Sequence, residues 1–191
     1  EILIGLVGSE MCIRDRYIDL LLHEAGWTVT EQVGKIVPRQ AGIEIEVQGM
    51  PNESGMGYAD YVLFDADVTP LAVVEAKRTS VDAVAGRHQA ELYADCLAAR
   101  YVCPRPVIYY TNGFETNIID GIGYPSRKVM GFHTIDELRR MIAQRGRADI
   151  TDLQISDRIT NRNYQKRMIE SVCKHYNSKH RRALLVMATG T

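Results

Sequence analysis

The run Leu71-Ala72-Val73-Val74-Glu75-Ala76-Lys77 narrows the fold more than any other stretch of the chain. Four apolar residues lead straight into a carboxylate and an ammonium two positions apart. Asp60 to Phe64 precede this run, and the turn-rich stretch from Asp65 to Pro70 lies between, so the two segments are predicted to form a β-hairpin. A period of two puts Glu75 and Lys77 on one face of the strand and Ala72, Val74 and Ala76 on the other. The hairpin returns Asp60, at the start of its strand, to the end of the partner strand. Two carboxylates then converge on one point with an amine beside them.

That trio suits Mg²⁺, a hard cation that takes one or two carboxylates, keeps several waters and accepts a phosphate oxygen. Such an ion acidifies a bound water and neutralises charge on a scissile phosphate. Lys77 can stabilise charge at the attacking or phosphorus-bound oxygens. Without a cation, two carboxylates so close repel, and one takes up a proton. A surface hairpin carrying a Glu75–Lys77 salt bridge satisfies the same pattern, since Glu-x-Lys recurs by chance. The upstream Asp60 and the glycines Gly55 and Gly57 before it favour the metal-dependent nuclease reading. Downstream, Gln89 and Tyr93 stand four apart on a predicted helix spanning Val81 to Arg100, so both project from one face. An amide and a phenol one turn apart can position a phosphate or orient the lysine; an ordinary amphipathic helix explains them as well.

The rest of the chain reads as a mixed α/β domain. Tyr17, Leu20, Leu21 and Glu24 share a predicted helical face that ends at Gly26. Ile43 to Val47 alternate apolar and acidic residues, as a strand does, and residues 51–57 form a loop. Val107–Thr111 and Thr116–Ile119 flank Asn112-Gly113, a strong hairpin signal. Thr134 is predicted to cap a helix through Met141, with Glu137 at the capping-box position. Residues 144–157 are polar and rich in Arg and Asp. A further helix is expected from Asn163 to Tyr176, then a strand from Ala183 to Met187. Residues 1–13, which do not open with Met, fit no such pattern; a non-native segment is one expectation for them, and they are left out of the fold reading.

Composition excludes several classes. Among 191 residues, 46% are apolar and 25% charged, values of a globular chain rather than a disordered or fibrous one. No run approaches the ~18 apolar residues of a membrane span. The cysteines at 12, 96, 103 and 173 are spaced for neither a disulfide framework nor zinc, and suit thiols in a reducing cytoplasm. The net charge of −1 hides a split: residues 1–138 hold nine more acids than bases, and residues 139–191 eight more bases than acids. The basic part suits a segment lying along phosphates, or equally a solvated basic helix.

The order Gly57-x-x-Asp60-Tyr61-Val62-Leu63, Val73-Val74-Glu75-Ala76-Lys77, Gln89-x-x-x-Tyr93 resembles the PD-(D/E)xK nuclease domain, of the RecB-like branch, that opens the restriction (R) subunit of type I restriction–modification enzymes. Tyr17-Ile18-Asp19-x-Leu21-Leu22-x-Glu24-Ala25-Gly26-Trp27 resembles that family's first helix, and Tyr110-Thr111-Asn112-Gly113 its later core strand and turn. Tyr164-Gln165 is similar to the adenine-reading motif of superfamily-two translocases. Leu184 to Thr191 is similar to the strand and opening of a phosphate loop whose Gly-Lys-Thr continuation is absent here.

The resemblance implies a restriction-endonuclease-like mixed sheet flanked by helices over residues 14–146, with the active hairpin near one sheet edge. A linker over 147–160 and the first elements of a RecA-like motor over 161–191 follow. It implies Asp60 and Glu75 as Mg²⁺ ligands, Lys77 as the catalytic lysine, and Gln89 and Tyr93 as site supports or DNA contacts. Gln165, Thr189, Gly190 and Thr191 would be an incomplete ATP site. Glu24 could reach the metal, though a solvated acid fits it better. The implied activity is ATP-coupled cleavage of double-stranded DNA in the cytoplasm, with methyltransferase and specificity subunits as partners and no membrane role. A RecB-like nuclease fused to a repair helicase, or an inactive docking or DNA-holding module, are the alternatives.

Overall fold

The structure, a computed structural model, describes residues 15–78, 80–146, 150–178, 180 and 182–186. Two compact units divide the chain, Glu1–Arg145 and Gly146–Thr191.

The first unit is built on one seven-stranded mixed sheet in which every strand neighbours the next in sequence. Its strands are β1 (Thr28–Val29), β2 (Gln40–Gln48), β3 (Met56–Phe64), β4 (Pro70–Ala76), β5 (Val107–Thr111), β6 (Thr116–Ile119) and β7 (Arg127–Val129). The β1–β2 and β4–β5 pairs are parallel and the others antiparallel. The parallel step from β4 to β5 needs a crossover. Helix α2 (Arg87–Tyr101) supplies it, preceded by a 3₁₀ turn over Ala83–Gly86. The predicted helix from Val81 therefore begins as a tighter turn and becomes α-helical only at Arg87.

Helix α1, residues 15–24, ends in a Schellman closure: Gly26 N–H bonds His23 O, Trp27 N–H bonds Leu22 O, and Gly26 has φ +82°. Its buried residues are Ile18 and Leu22, while Tyr17 and Leu20 are about half exposed. The expected face of Tyr17, Leu20, Leu21 and Glu24 is thus rotated, because the i, i+4 pair of branched residues packs more apolar area than Tyr17 and Glu24 can. Helix α3 (Ile135–Gln144) carries the predicted capping box, with the Thr134 hydroxyl accepting from Glu137 N–H and the Glu137 carboxylate accepting from Thr134 N–H.

Two apolar layers sandwich the sheet. On one side Ile18, Leu22, Trp27, Phe132 and Leu138 pack on Tyr61, Leu63, Ala72, Val74, Ala76 and Tyr109. On the other, Ala90, Tyr93, Ala94 and Leu97 of α2 pack on Val62, Phe64, Val73 and Ile108. All seven residues of β4 are buried. This strand is the fourth of seven, so the predicted hairpin lies at the centre of the sheet and not near its edge. An unbroken apolar run is the pattern of a strand covered on both faces, which an edge strand rarely is.

Strand β2 departs from simple alternation. Ile43 packs in the first layer and Ile45 and Val47 in the second. The faces exchange at Glu44, whose φ of +47° is left-handed. On β3 the same exchange separates Tyr61 from Ala59, and Asp60 lies between them.

In the second unit, Ile150–Asp152 form a 3₁₀ turn and Asn163–Asn177 form α4. Residues 182–186 carry no strand, against the strand predicted from Ala183; an isolated apolar segment without a pairing neighbour has no ladder to join. Met187 to Thr191 lie outside the described residues, as do residues 1–14 and 147–149.

Candidate active site

Three elements position the predicted residues: β3, the end of β4 and the first turns of α2. Glu75 is the last acidic residue of β4 and is 3% exposed. Lys77 follows the strand's last residue, where its backbone N–H still bonds Thr111 O on β5 at 2.8 Å. Strand alternation therefore brings the two side chains to one side, and Lys77 Nζ lies 2.8 Å from Glu75 Oε1. The same ammonium donates to Gln89 Oε1 at 2.9 Å, and Gln89 Nε2 donates to the Tyr93 hydroxyl at 2.7 Å. The amide orientation is set by its neighbours, because a flipped Gln89 would point N–H groups at an ammonium that can only donate.

Asp60 enters from β3. Its Oδ2 accepts from the Ala76 N–H at 2.6 Å, at the middle of Glu75-Ala76-Lys77. With Tyr61 paired to Val74, the next position along puts Asp60 across from Glu75. The structure thus brings Asp60, Glu75, Lys77, Gln89 and Tyr93 together. Burial holds the Tyr93 phenol above its ordinary pKa; the Gln89 bond works against that, and the Glu75 and Asp60 charges add to it. Tyr93 is therefore a neutral hydroxyl at physiological pH.

Two glycines make the arrangement possible. A β-carbon at Gly57 would stand 2.7 Å from Tyr93 Cε1 and 3.0 Å from its hydroxyl. One at Gly86 would stand 3.1 Å from Glu75 Cγ and 3.3 Å from Lys77 Cε.

Glu24 is exposed on α1. The α1 acid that turns toward the site is Asp19, whose Oδ1 accepts from the Tyr61 hydroxyl at 3.0 Å. Burial raises the Asp19 pKa, the Tyr61 bond lowers it and Asp15 raises it. Nothing in the spacing of the sequence sets Asp19 apart from its helical neighbours. In the second unit, Gln165 lies in the first turn of α4 with Nε2 3.5 Å from the Tyr164 hydroxyl; Thr189, Gly190 and Thr191 lie outside the described residues. The described cysteines Cys96, Cys103 and Cys173 are free, and Cys12 is outside that set.

All-oxygen donors fit Mg²⁺ in this site. Among the described residues no three His, Cys, Asp or Glu side chains gather closely enough to enclose an ion. Asp60 and Glu75 supply two carboxylates, the complement this ion takes while keeping water and phosphate in its other positions.

Fold and site define a class: a restriction-endonuclease-like α/β domain whose central strands present two acids and a lysine. Residues 34–114, which contain the five residues predicted for the nuclease site but not Gln165 or Thr189 to Thr191, match the family model of the type I restriction enzyme EcoKI endonuclease subunit second domain. The EcoKI endonuclease subunit of Escherichia coli (strain K12) is 36% identical over 86 residues, 41% of this chain and 7% of that protein. A solved fragment described as an HsdR subunit of a type I restriction enzyme from Vibrio vulnificus YJ016 covers 93% of this chain and 34% of that one, at 26% identity and a TM-score of 0.51. A probable peptide N-acetylglucosaminyltransferase, SPINDLY of Solanum lycopersicum, is 30% identical over 105 residues but only 11% of its length. The family model, the bacterial relative and the solved structure agree, and the chain is similar to the endonuclease (R) subunits of type I restriction enzymes. It spans small fractions, 7% and 11%, of the curated relatives it matches. No helix among the described residues is long and apolar enough to cross a membrane.

Proposed function

We propose that this chain is the DNA-cutting part of a type I restriction endonuclease and hydrolyses phosphodiester bonds of double-stranded DNA with Mg²⁺. The observation that carries the reading is the clamp on Lys77: its Nζ is held between Glu75 Oε1 and Gln89 Oε1, one residue from the Asp60-bound Ala76 amide. A structural surface pair would need neither the buried carboxylate nor the second acceptor. Asp60 and Glu75 would hold the ion, which when bound supplies charge neutralisation at the phosphate and an acidified water.

The chain's own residues do the rest. Lys77 keeps its third donor direction for a phosphate oxygen, because Glu75 and Gln89 occupy two. Gln89 and Tyr93 fix that ammonium in place, so its charge faces the reacting phosphate with little reorganisation. Glu75, buried beside Lys77, keeps the pair in register with Asp60.

In the longer parent protein the cleavage would be coupled to ATP-driven translocation. Gln165 would read adenine, and Thr189, Gly190 and Thr191 would open the phosphate loop. Methyltransferase and specificity subunits would choose the DNA, in the cytoplasm.

The test is cleavage of supercoiled plasmid by the R subunit assembled with those subunits and ATP. Mg²⁺-dependent double-strand breaks that vanish in Glu75→Ala and Lys77→Ala, with ATPase activity kept, are expected. Undiminished cleavage in either variant would overturn the assignment.

A further inference from the structure

Strand β5 lies parallel to β4 with Tyr110 in register with Glu75. Val73 and Ile108 pack in the α2 layer and Val74 and Tyr109 in the other, so alternation turns Glu75 and Tyr110 together to the α2 side. Glu75 therefore stands in a row of three, with Asp60 of β3 on one flank and the Tyr110 phenol on the other. Tyr110 is 2% exposed, yet its hydroxyl forms no hydrogen bond among the described residues and is not enclosed either. Buried tyrosine hydroxyls usually find a partner, so this one opens on the cleft with its donor unspent. A second feature lies beside it. Gly86 sits against the Glu75 and Lys77 side chains, which brings the next residue, Arg87, to the same side of the cleft. Glu91 holds the Arg87 guanidinium above its ordinary pKa and Tyr110 adds to that from β5, so phenol and guanidinium are electrostatic neighbours. One Arg87 N–H bonds Glu91 at 2.9 Å and the side chain is about half exposed, which leaves further donors for a ligand.

We infer that Tyr110 and Arg87 together hold a backbone phosphate of the DNA, the neighbour of the phosphate that reacts. The inference rests on the nuclease reading and adds two substrate contacts to that site. Strands lie about 4.8 Å apart, so Tyr110 stands two spacings, about 10 Å, from Asp60. One phosphate group cannot reach both ends of that row. With the reacting phosphate over Asp60, Glu75 and Lys77, the group that faces Tyr110 is the next one along the same DNA strand. A phenol that donates once and a guanidinium with several N–H groups suit phosphate oxygens and carry no preference for a base. Holding the neighbouring phosphate fixes the register of the DNA strand on the sheet end, and with it the distance from the reacting phosphate to Lys77.

Single-turnover plasmid cleavage by the R subunit, assembled with methyltransferase and specificity subunits, Mg²⁺ and ATP, tests it beside the thermal midpoint and ATPase rate of each variant. Tyr110→Phe removes a hydroxyl that no described residue bonds. Its midpoint and ATPase rate should match wild type while cleavage slows about tenfold, the worth of one hydrogen bond to a charged oxygen. Arg87→Gln should slow cleavage at least as much. The double variant should slow it by less than the product of the two, because both groups hold one phosphate. Cleavage at the wild-type rate in Tyr110→Phe overturns the inference. So does a loss of rate that follows a loss of thermal midpoint, which marks a structural hydroxyl, or a pair of effects that simply multiply. Glu75→Ala is run alongside to separate the two readings. If it cuts undiminished, the nuclease reading itself fails; if it is inactive while Tyr110→Phe is silent, only this inference falls.

Discussion

Gly57 lies directly against the Tyr93 ring, so close that any β-carbon there would stand 2.7 Å from Cε1. The contact joins β3 to α2 across 36 residues of sequence and fixes the height of the hydroxyl that Gln89 binds. Gly57→Ala must push Tyr93 or β3 aside. Overpacking of this kind costs about 1–3 kcal/mol, to be read from urea unfolding. DNA cleavage is expected to fall more than stability explains, because the displaced phenol releases Gln89 and then Lys77. Cleavage at the wild-type rate would show that Tyr93 does not set the lysine.

Glu75→Gln separates chemistry from stability. Lys77 remains 27% exposed in its side chain and keeps Gln89 as an acceptor, so it can be resolvated when the carboxylate goes. Burying an amide costs less than burying a carboxylate. Mg²⁺-dependent cleavage should drop by at least about a hundredfold, the scale of removing one charge-stabilising group. The thermal midpoint should hold or rise, as determined by calorimetry.

His133 gives stability a pH dependence near neutrality. Its Nδ1 shares a hydrogen bond with the Tyr109 hydroxyl at 2.6 Å, and burial is the main cause that lowers its pKa. The unfolded imidazole therefore takes up a proton at a higher pH than the folded one. The stabilisation is whole above the unfolded value of about 6.5 and is lost as pH falls below it toward the folded value. Urea midpoints at pH 7.5 and 5.5 should differ in wild type and converge in His133→Gln. Equal midpoints in wild type would show that His133 protonates without cost.

Thr134→Ala removes one half of the capping box on α3. A loss of about 1 kcal/mol is expected, measured as a shift in denaturant midpoint with unchanged slope. Because Glu137 loses its hydroxyl partner as well, Thr134→Ser should restore most of the stability.

Much of the site was legible because it depends on short-range rules. The β3–β4 hairpin, the common side of Glu75 and Lys77, and the Gln89–Tyr93 pair follow from periods of 2 and 3.6, which need no knowledge of distant chain. The hairpin lies at the centre of the sheet and not at the edge expected of it, although Leu71 to Val74 carry the signal of a strand covered on both faces. The buried face of α1 differs from the expected one because Tyr17 and Leu20 share apolar character with Ile18 and Leu22, and only packing against the sheet chooses between them.

What the sequence alone determined is local: where strands turn at Asn112-Gly113, where α3 starts at Thr134, where α1 stops at Gly26, and which acids and amine share a strand end. Backbone sterics and side-chain-to-backbone bonds within a few residues dictate these. Only the tertiary structure decided that Lys77 meets Gln89 twelve positions away, that Gly57 abuts Tyr93, and that Ile43 and Ile45 face opposite layers across Glu44. Those relations are set by how three helices and seven strands share a limited volume, and no local pattern of residues encodes that competition for space.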